Sequence, residues 1–475
     1  MEELIIRSEQ DVARMVNDRP AGRSSWLIIL TALGGIFVDA YDFSSLGIGI
    51  PQLVVQLHLT PTDVGTVTAI ASLGGCVGAF WGGPWTDKIG RFRMALLDMV
   101  ILTIGAVGSA LALNMWMLLF FRFMLGVGVG LDVPVALAFL AEYSSERRKG
   151  VVNVWQPVWY IATAFMGLLL LPFYYMPSFN PHLWRVAVGF GAIPAVIVLI
   201  LRYKFMQESP TWAAHNLGLQ EAGRILAETY KIRVTVIPDA VQALPKSKVG
   251  IRELLVPAYR KRLLLTSCTA VMGAIEYYTV GFNLPSISIQ LFGALYLYAI
   301  LGAIFFNLFG IVGGCGAVWQ TRHLGLRKMI IIGFGIEVLS VIGLWQGGRF
   351  PVLIQALFVA SFIFGHSFGV AANTQTMAAL SFPTRIRATA VGFIHALIRL
   401  GAIGGFYYFP LFMAKAGLRK MMMWLVLVPL TGLIVTLMIK WEPVGKDIEA
   451  EDTALRQKAA AAGSDGKSRL AGAAN

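Results

Sequence analysis

Two aspartates three residues apart, Asp39 and Asp42 in FVDAYDFSSLG, stand inside a run that is otherwise hydrocarbon from Trp26 to Ile50. A carboxylate there is costly unless a proton or a partner compensates it. On a helix, positions i and i+3 share a face, so both acids can turn away from lipid and into a bundle. The cation within reach is Arg122 in LLFFRFML, the one fixed positive charge in the apolar stretches of the first half that stands well away from a loop. An arginine–carboxylate pair in a low dielectric is stable while intact and costly when half broken, and protonating the acid releases the arginine. That chemistry is a proton switch. Asp132, in GVGVGLDVP, is a second candidate proton site, although it could equally hold its own bundle together, and Asp39 could be a structural residue satisfied by water.

The second half offers a different set. GAIEYYTVGFN supplies Glu276, Tyr277, Tyr278 and Asn283, with Gly281 placed to let a helix bend. FGHSFGVAANTQT adds His366, Ser367, Asn373 and Gln375, and Arg399 follows in the next apolar run. With Gln156, Trp159 and Tyr160 from the first half, these groups would ring a site between the halves. Glu276, Arg399, Tyr160, Gln156, His366, Asn373 and Tyr277 are the substrate-contact candidates, set against the general use of lone polar residues as helix glue. Glu337, Asp98 and His395 read as structural or interfacial. Asp87, Glu142, Arg148, Glu208 and Arg387 fall at the ends of apolar runs, where a charge cluster that latches the halves is expected.

The elements that must position these groups follow from composition. Of 475 residues, 57% are hydrophobic and 14% charged, and mean hydropathy is +0.69, too apolar to coat a water-soluble globule of that size. The chain is predicted to be all-α and to span a bilayer. Apolar runs long enough to cross the hydrocarbon as helices fall near 26–50, 64–86, 94–113, 115–141, 152–175, 184–204, 263–285, 296–320, 329–346, 352–380, 388–412 and 420–440. The predicted organisation is an N-terminal tail (1–25), a six-helix bundle (26–205), a polar central segment (206–262), a second six-helix bundle (263–440) and a disordered tail (441–475). Lys and Arg concentrate in the tail, the 2–3, 4–5, 8–9 and 10–11 loops and the central segment, which places both termini in the cytoplasm. The basic 11–12 connection, with Lys415, Arg419 and Lys420, departs from this pattern. The net charge of +13 is therefore a matter of topology and anionic lipid, not of nucleic acid. Cys76, Cys268 and Cys315 lie in apolar stretches at no metal-ligand or disulfide spacing.

The halves echo each other. DKIGRFR (Asp87 to Arg93) has a degraded partner in RHLGLRK (Arg322 to Lys328), and the basic 4–5 loop matches PTRIR (Pro383 to Arg387). A parallel repeat of this kind packs as two bundles around a cavity and suits alternating access.

These residues carry a resemblance to the major facilitator superfamily over nearly the whole chain. GPWTDKIGRFR (Gly83 to Arg93) resembles its 2–3 loop motif, which implies close helix contact at Gly83 and a charge latch through Asp87 and Arg91. RFMLGVGVGLDVPVALAFLAEY, QESPTWAAHNLGLQEAGRIL, FPTRIRATAVGF and WEPVGKDIE resemble, in order, motifs of the sugar-porter branch, and the resemblance implies inverted repeats within each half. Within that branch the chain is most similar to proton-coupled phosphate symporters, through Asp39–Asp42 and through Phe120, Arg122, Asp132, Pro134, Glu142 and Tyr143. That likeness pairs Arg122 with Asp42. Where those symporters contact substrate, this chain carries Val133, Glu276, Val280 and Ser367 instead, so the pocket differs. The Asp-x-Tyr-Asp stretch is also similar to metabolite and aromatic-acid proton symporters.

The expected function is proton-coupled uptake of a small anionic metabolite, an organic acid or phosphate-like, by a monomer in the inner membrane without a cofactor or metal. A drug or metabolite antiporter and a non-transporting nutrient sensor are the alternatives. An enzyme is not expected: no nucleophile–base set or phosphate-cradling loop occurs, and GVGVGLD lies within a span, where glycine permits packing.

Overall fold

In a computed structural model, the described residues are 3–18, 23–143, 153–237, 251–446, 448 and 451. The order is β1 (Glu3–Ile6), α1 (Glu9–Asp18), α2 (Arg23–Leu57), α3 (Pro61–Ile89), α4 (Arg91–Ala110), α5 (Met115–Tyr143), α6 (Trp155–Tyr175), α7 (Leu183–Gly189), α8 (Ala192–Phe205), α9 (Pro210–Asn216), α10 (Leu219–Tyr230) and β2 (Arg233–Val236). The second half follows as α11 (Pro257–Glu276), α12 (Leu284–Phe292), α13 (Tyr296–Leu324), α14 (Leu326–Trp345), α15 (Val352–Gly365), α16 (Ala372–Leu380), α17 (Thr384–Leu425) and α18 (Leu427–Met438).

Twelve spans in two six-helix bundles result. Span six is α7 with α8, span seven runs from α11 into α12, and span ten from α15 into α16. Spans eleven and twelve run on as one helical stretch broken at Gly417, whose φ of 72° only glycine adopts at little cost. The ends of the spans that adjoin the two chain termini define one face of the molecule, called here the terminal face.

Glycine spacing explains how the first bundle closes. A Cβ at Gly126 or Gly130 of α5 would strike the carbonyls of Ala71 or Gly75 on α3, so the GVGVG run lets these two backbones touch.

The parallel repeat is visible at atomic level. Gly90 (φ 104°) and Gly325 (φ 78°) turn the chain into α4 and α14. Behind each stands a glutamate from the end of its bundle. Glu208 accepts the amides of Arg91 at 2.9 Å and Phe92 at 3.2 Å, and Glu442 accepts that of Arg327 at 2.8 Å. Each carboxylate supplies a helix start with the acceptor its free N–H groups lack.

A feature the sequence did not suggest lies on the terminal face. β1 pairs in parallel with β2, and α1 packs on α9 and α10 around Val12, Met15, Trp212 and Ile225, so residues 3–18 are bound to the central segment. The tail 441–475, read as disordered, is ordered where it leaves the second bundle, with Trp441 Nε1 donating to Ser381 Oγ at 2.9 Å and Glu442 accepting the Arg327 amide; residues 452–475 lie outside the described residues.

Candidate functional site

A cavity of about 110 Å³ lies between the bundles. Ile36 and Asp39 of α2 and Trp155, Gln156 and Trp159 of α6 form one wall; Tyr277, Tyr278, His366, Gln375, His395 and Arg399 form much of the other. Arg399 is buried, with its guanidinium carbon 5.5 Å from the Phe43 ring centroid.

Asp39 is fully buried, and among the described residues neither of its carboxylate oxygens has a hydrogen-bond partner. One turn before it, Gly35 lies so close to Arg202 and Asp132 that a Cβ would collide with both. Arg202 of α8 donates through Nη2 to Asp132 Oδ1 at 2.6 Å, and through Nη1 to Asp98 Oδ1 and Oδ2 at 2.9 and 3.1 Å and to the Ala95 carbonyl at 2.7 Å. All three side chains are inaccessible to solvent. One guanidinium thus holds two acids from two other spans.

The expected Asp42–Arg122 ion pair is not formed. Arg122 is buried, but its Nη1 donates to the main-chain carbonyl of Asp42 at 3.0 Å, while the Asp42 carboxylate is directed at Gly191 and has no hydrogen-bond partner among the described residues. Asp39 therefore reaches the cavity wall and Asp42 does not. Nor is Arg122 the lone isolated cation of its half. Arg202 stands three residues before α8 ends at Phe205, where a basic residue reads as interfacial, and only packing of α8 on α2 and α4 shows it buried. The two acids inside α4 and α5 were the available signal, since each needs a base.

Across the cavity, His366 Nδ1 lies 3.1 Å from Glu337 Oε1 and 3.4 Å from Glu276 Oε1. The Tyr277 ring stacks on the imidazole at 5.0 Å, and its hydroxyl accepts the Trp159 Nε1 proton at 2.6 Å, joining the bundles. Glu337, read as structural or interfacial, is buried in this cluster. Two π-helical turns flank it, Tyr277–Gly281 and His366–Ala371. The first ends at Gly281, where a bend was expected. Such turns widen a helix locally and concentrate at functional sites.

Gln156 lines the cavity. Tyr160 instead packs edge-on to Tyr277 at 6.2 Å and fills the notch at Gly310. Asn373 is turned away too, donating to the Phe368 and Gly369 carbonyls at 3.0 Å each and accepting from Thr321 at 3.1 Å. Toward the face opposite the termini, Phe43, Tyr278, Phe282 and Phe406 form an aromatic layer, with Tyr278 and Phe282 ring centroids 4.7 and 4.5 Å from that of Phe406. Of the latch candidates, Gly83, Asp87, Glu142 and Arg387 lie near helix ends on the terminal face, Arg91 opens α4 there, and Arg148 lies outside the described residues.

Two helical bundles around an internal cavity lined by a buried acid and an arginine define a membrane transporter. The family model described as Major Facilitator Superfamily matches residues 32–322, and the chain belongs to that family. It is 28% identical over 438 residues to the inner membrane metabolite transport protein YgcS of Escherichia coli, covering 91% of this chain and 94% of the relative. Identity to the niacin transporter NiaP of Acinetobacter baylyi is 25%, covering 93% of this chain and 99% of the relative. To the 4-hydroxybenzoate transporter PcaK of Pseudomonas putida it is also 25%, covering 83% and 88%. The fold is similar to that of the xylose transporter XylE of E. coli in a partially occluded inward-open conformation, with TM-score 0.73, 16% identity and coverage of 90% and 100%. The protein is thus a multi-pass membrane transporter for a small molecule, not an enzyme.

Proposed function

We propose that the protein is a proton symporter that takes up a small organic anion by alternating access, with the terminal face in the cytoplasm. The observation that carries this reading is Asp39: a fully buried carboxyl with no hydrogen-bond partner among the described residues, on the wall of a cavity whose other wall presents Arg399. An acid in that position is neutral only when it binds a proton, and the arginine supplies the fixed charge that attracts an anion. The wider ledger supports it. Among the described residues, Asp39, Asp42, Asp98, Asp132, Glu276 and Glu337 are all buried within span helices, against Arg122, Arg202, Arg262 and Arg399. Six acids against four permanent cations leave an excess of negative charge that a low dielectric disfavours unless protons compensate it. The basic residues of the terminal-face loops support the orientation. Trp159, Tyr277, Tyr278 and the imidazole of His366 offer flat walls, which suits an aromatic or heteroaromatic carboxylate, the chemical class named for NiaP and PcaK.

The test is uptake into proteoliposomes of 4-hydroxybenzoate, nicotinate, phosphate and xylose under an inward proton gradient. An aromatic acid is expected to accumulate with internal acidification, and Asp39→Asn to abolish accumulation while leaving exchange of labelled for unlabelled substrate intact. Accumulation by Asp39→Asn at the wild-type level, or movement of neither an organic acid nor phosphate, overturns the reading. Outward movement under the same gradient identifies an antiporter.

A further inference from the structure

We propose that Glu276, Glu337 and His366 form a second proton-binding site, belonging to the C-terminal bundle and separate from Asp39, whose occupancy sets the charge of the cavity wall facing the substrate. Three observations converge on it. One ring nitrogen serves two carboxylates, at 3.1 and 3.4 Å, yet a neutral imidazole carries at most one proton there. Among the described residues Glu276 Oε2 and Glu337 Oε2 are buried without a hydrogen-bond partner, so the cluster has acceptor capacity that an added proton or a donor would satisfy. And the three side chains come from three different spans, of which α14 contributes no residue to the cavity lining among the described residues. Glu337 therefore has no substrate to touch. Its route to the cavity is the imidazole, which reaches the wall on one side and the buried acids on the other.

The surroundings favour a site that both holds and releases a proton. Tyr277 stacks on the ring, and Tyr160 stands behind Tyr277. Asp39, His395 and Arg399 share the cavity from α2 and α17. Arg399 and the imidazole line the same cavity, so the negative charge of an entering anion and a proton bound by the cluster offset each other. Anion entry and proton uptake are thereby linked in sign. The backbone departs from regular α-helix at the same place, since one π-helical turn begins directly after Glu276 and the other at His366 itself. With Asp39, the protein then holds two proton sites, one per bundle.

The consequence for coupling rests on the symport reading above, but the site can be tested without a substrate. Infrared difference spectra of the lipid-reconstituted protein, recorded between about pH 5 and about pH 8 where imidazole titrates, should contain a protonated-carboxyl component together with a histidine ring component. Glu337→Gln should lose the carboxyl component and shift the ring component. Glu337→Asp, which keeps the acid, should move the carboxyl component without losing it. Asp39→Asn should remove only a carboxyl component of its own and leave in place the ring component and the carboxyl component that Glu337→Gln loses. Spectra of Glu337→Gln identical to wild type, or loss of the component in Asp39→Asn instead, overturn the proposal. Because no transport is measured, a failure here is distinct from a failure of the uptake experiment.

Discussion

The two bundles hold buried acids with different bases. In the first, Arg202 grips Asp98 and Asp132; in the second, His366 lies between Glu276 and Glu337. The spans correspond in part, since α4 and α14 occupy the same place in the repeat and contribute Asp98 and Glu337. The bases do not. A guanidinium stays charged at any physiological pH, so its cluster keeps a fixed ion pair, whereas an imidazole changes charge near neutrality. On the reading proposed above, the first arrangement braces a bundle and the second changes state during a transport cycle.

The largest effect should separate braced from switchable. Arg202→Met strands two carboxylates and is expected to cost about 3–5 kcal/mol, the usual loss on breaking a buried ion pair. His366→Gln should cost about 1–3 kcal/mol, the penalty for unsatisfied polar groups, because the glutamates it leaves can take up protons. Thermal unfolding in detergent measures both, and equal losses would break the comparison.

A smaller effect tests how alike the halves are where they do correspond. Glu208→Gln and Glu442→Gln should each lower stability by about 0.5–2 kcal/mol, the scale of a lost helix cap. The loss should be larger for Glu208, which accepts amides from Arg91, Phe92 and Ser209, than for Glu442, which accepts those of Arg327 and Val444. The reverse order in the same unfolding assay would show that the repeat is unequal in a way the contacts do not explain.

The smallest effect is in pH. Burial pushes the Glu208 carboxyl above the ordinary glutamate range, outweighing the amides of Ser209, Phe92 and Arg91 that pull it down. Its folded-state value is thus raised. The contribution is full below the unfolded-state value and is lost as pH rises through the folded-state one. Stability measured across that window should fall less steeply with rising pH in Glu208→Gln than in wild type. An unchanged slope would remove Glu208 from the account.

Much of this architecture was legible in the residues. Spans longer than the hydrocarbon thickness must be helices, because no other open segment satisfies its backbone there, so composition and run length fixed the class and the number of crossings. The GVGVG packing and the paired glycine turns were legible for a related reason, since only glycine tolerates those contacts and angles. The last two spans show the limit: their boundary near Gly417 lies between apolar runs, and helical structure continues on both sides of it.

The site was legible by type and not by pairing. Asp39, Glu276, His366 and Arg399 could be picked out because an ionisable residue in an apolar run needs a reason. Tyr160 and Asn373 shared that profile, yet they pack against neighbouring helices, since a helix turned by 100° per residue faces cavity and neighbour at almost adjacent positions. Arg202 was hidden by its closeness to the span end, and Glu337 by having its partners on two other helices.

By itself, then, the sequence determined the solvent this protein lives in, the helices that follow from it, their twofold repeat and the list of residues too polar for their surroundings. Only the tertiary structure decided which of those residues meet. Arg122 rests on a carbonyl rather than a carboxylate, Arg202 takes the two acids, and His366 joins Glu276 to Glu337. The physical reason is range: hydrophobicity and helix propensity act along the chain and can be read from it, whereas the energy of a buried charge depends on atoms within about 4 Å, contributed by helices that may be more than a hundred residues apart in sequence.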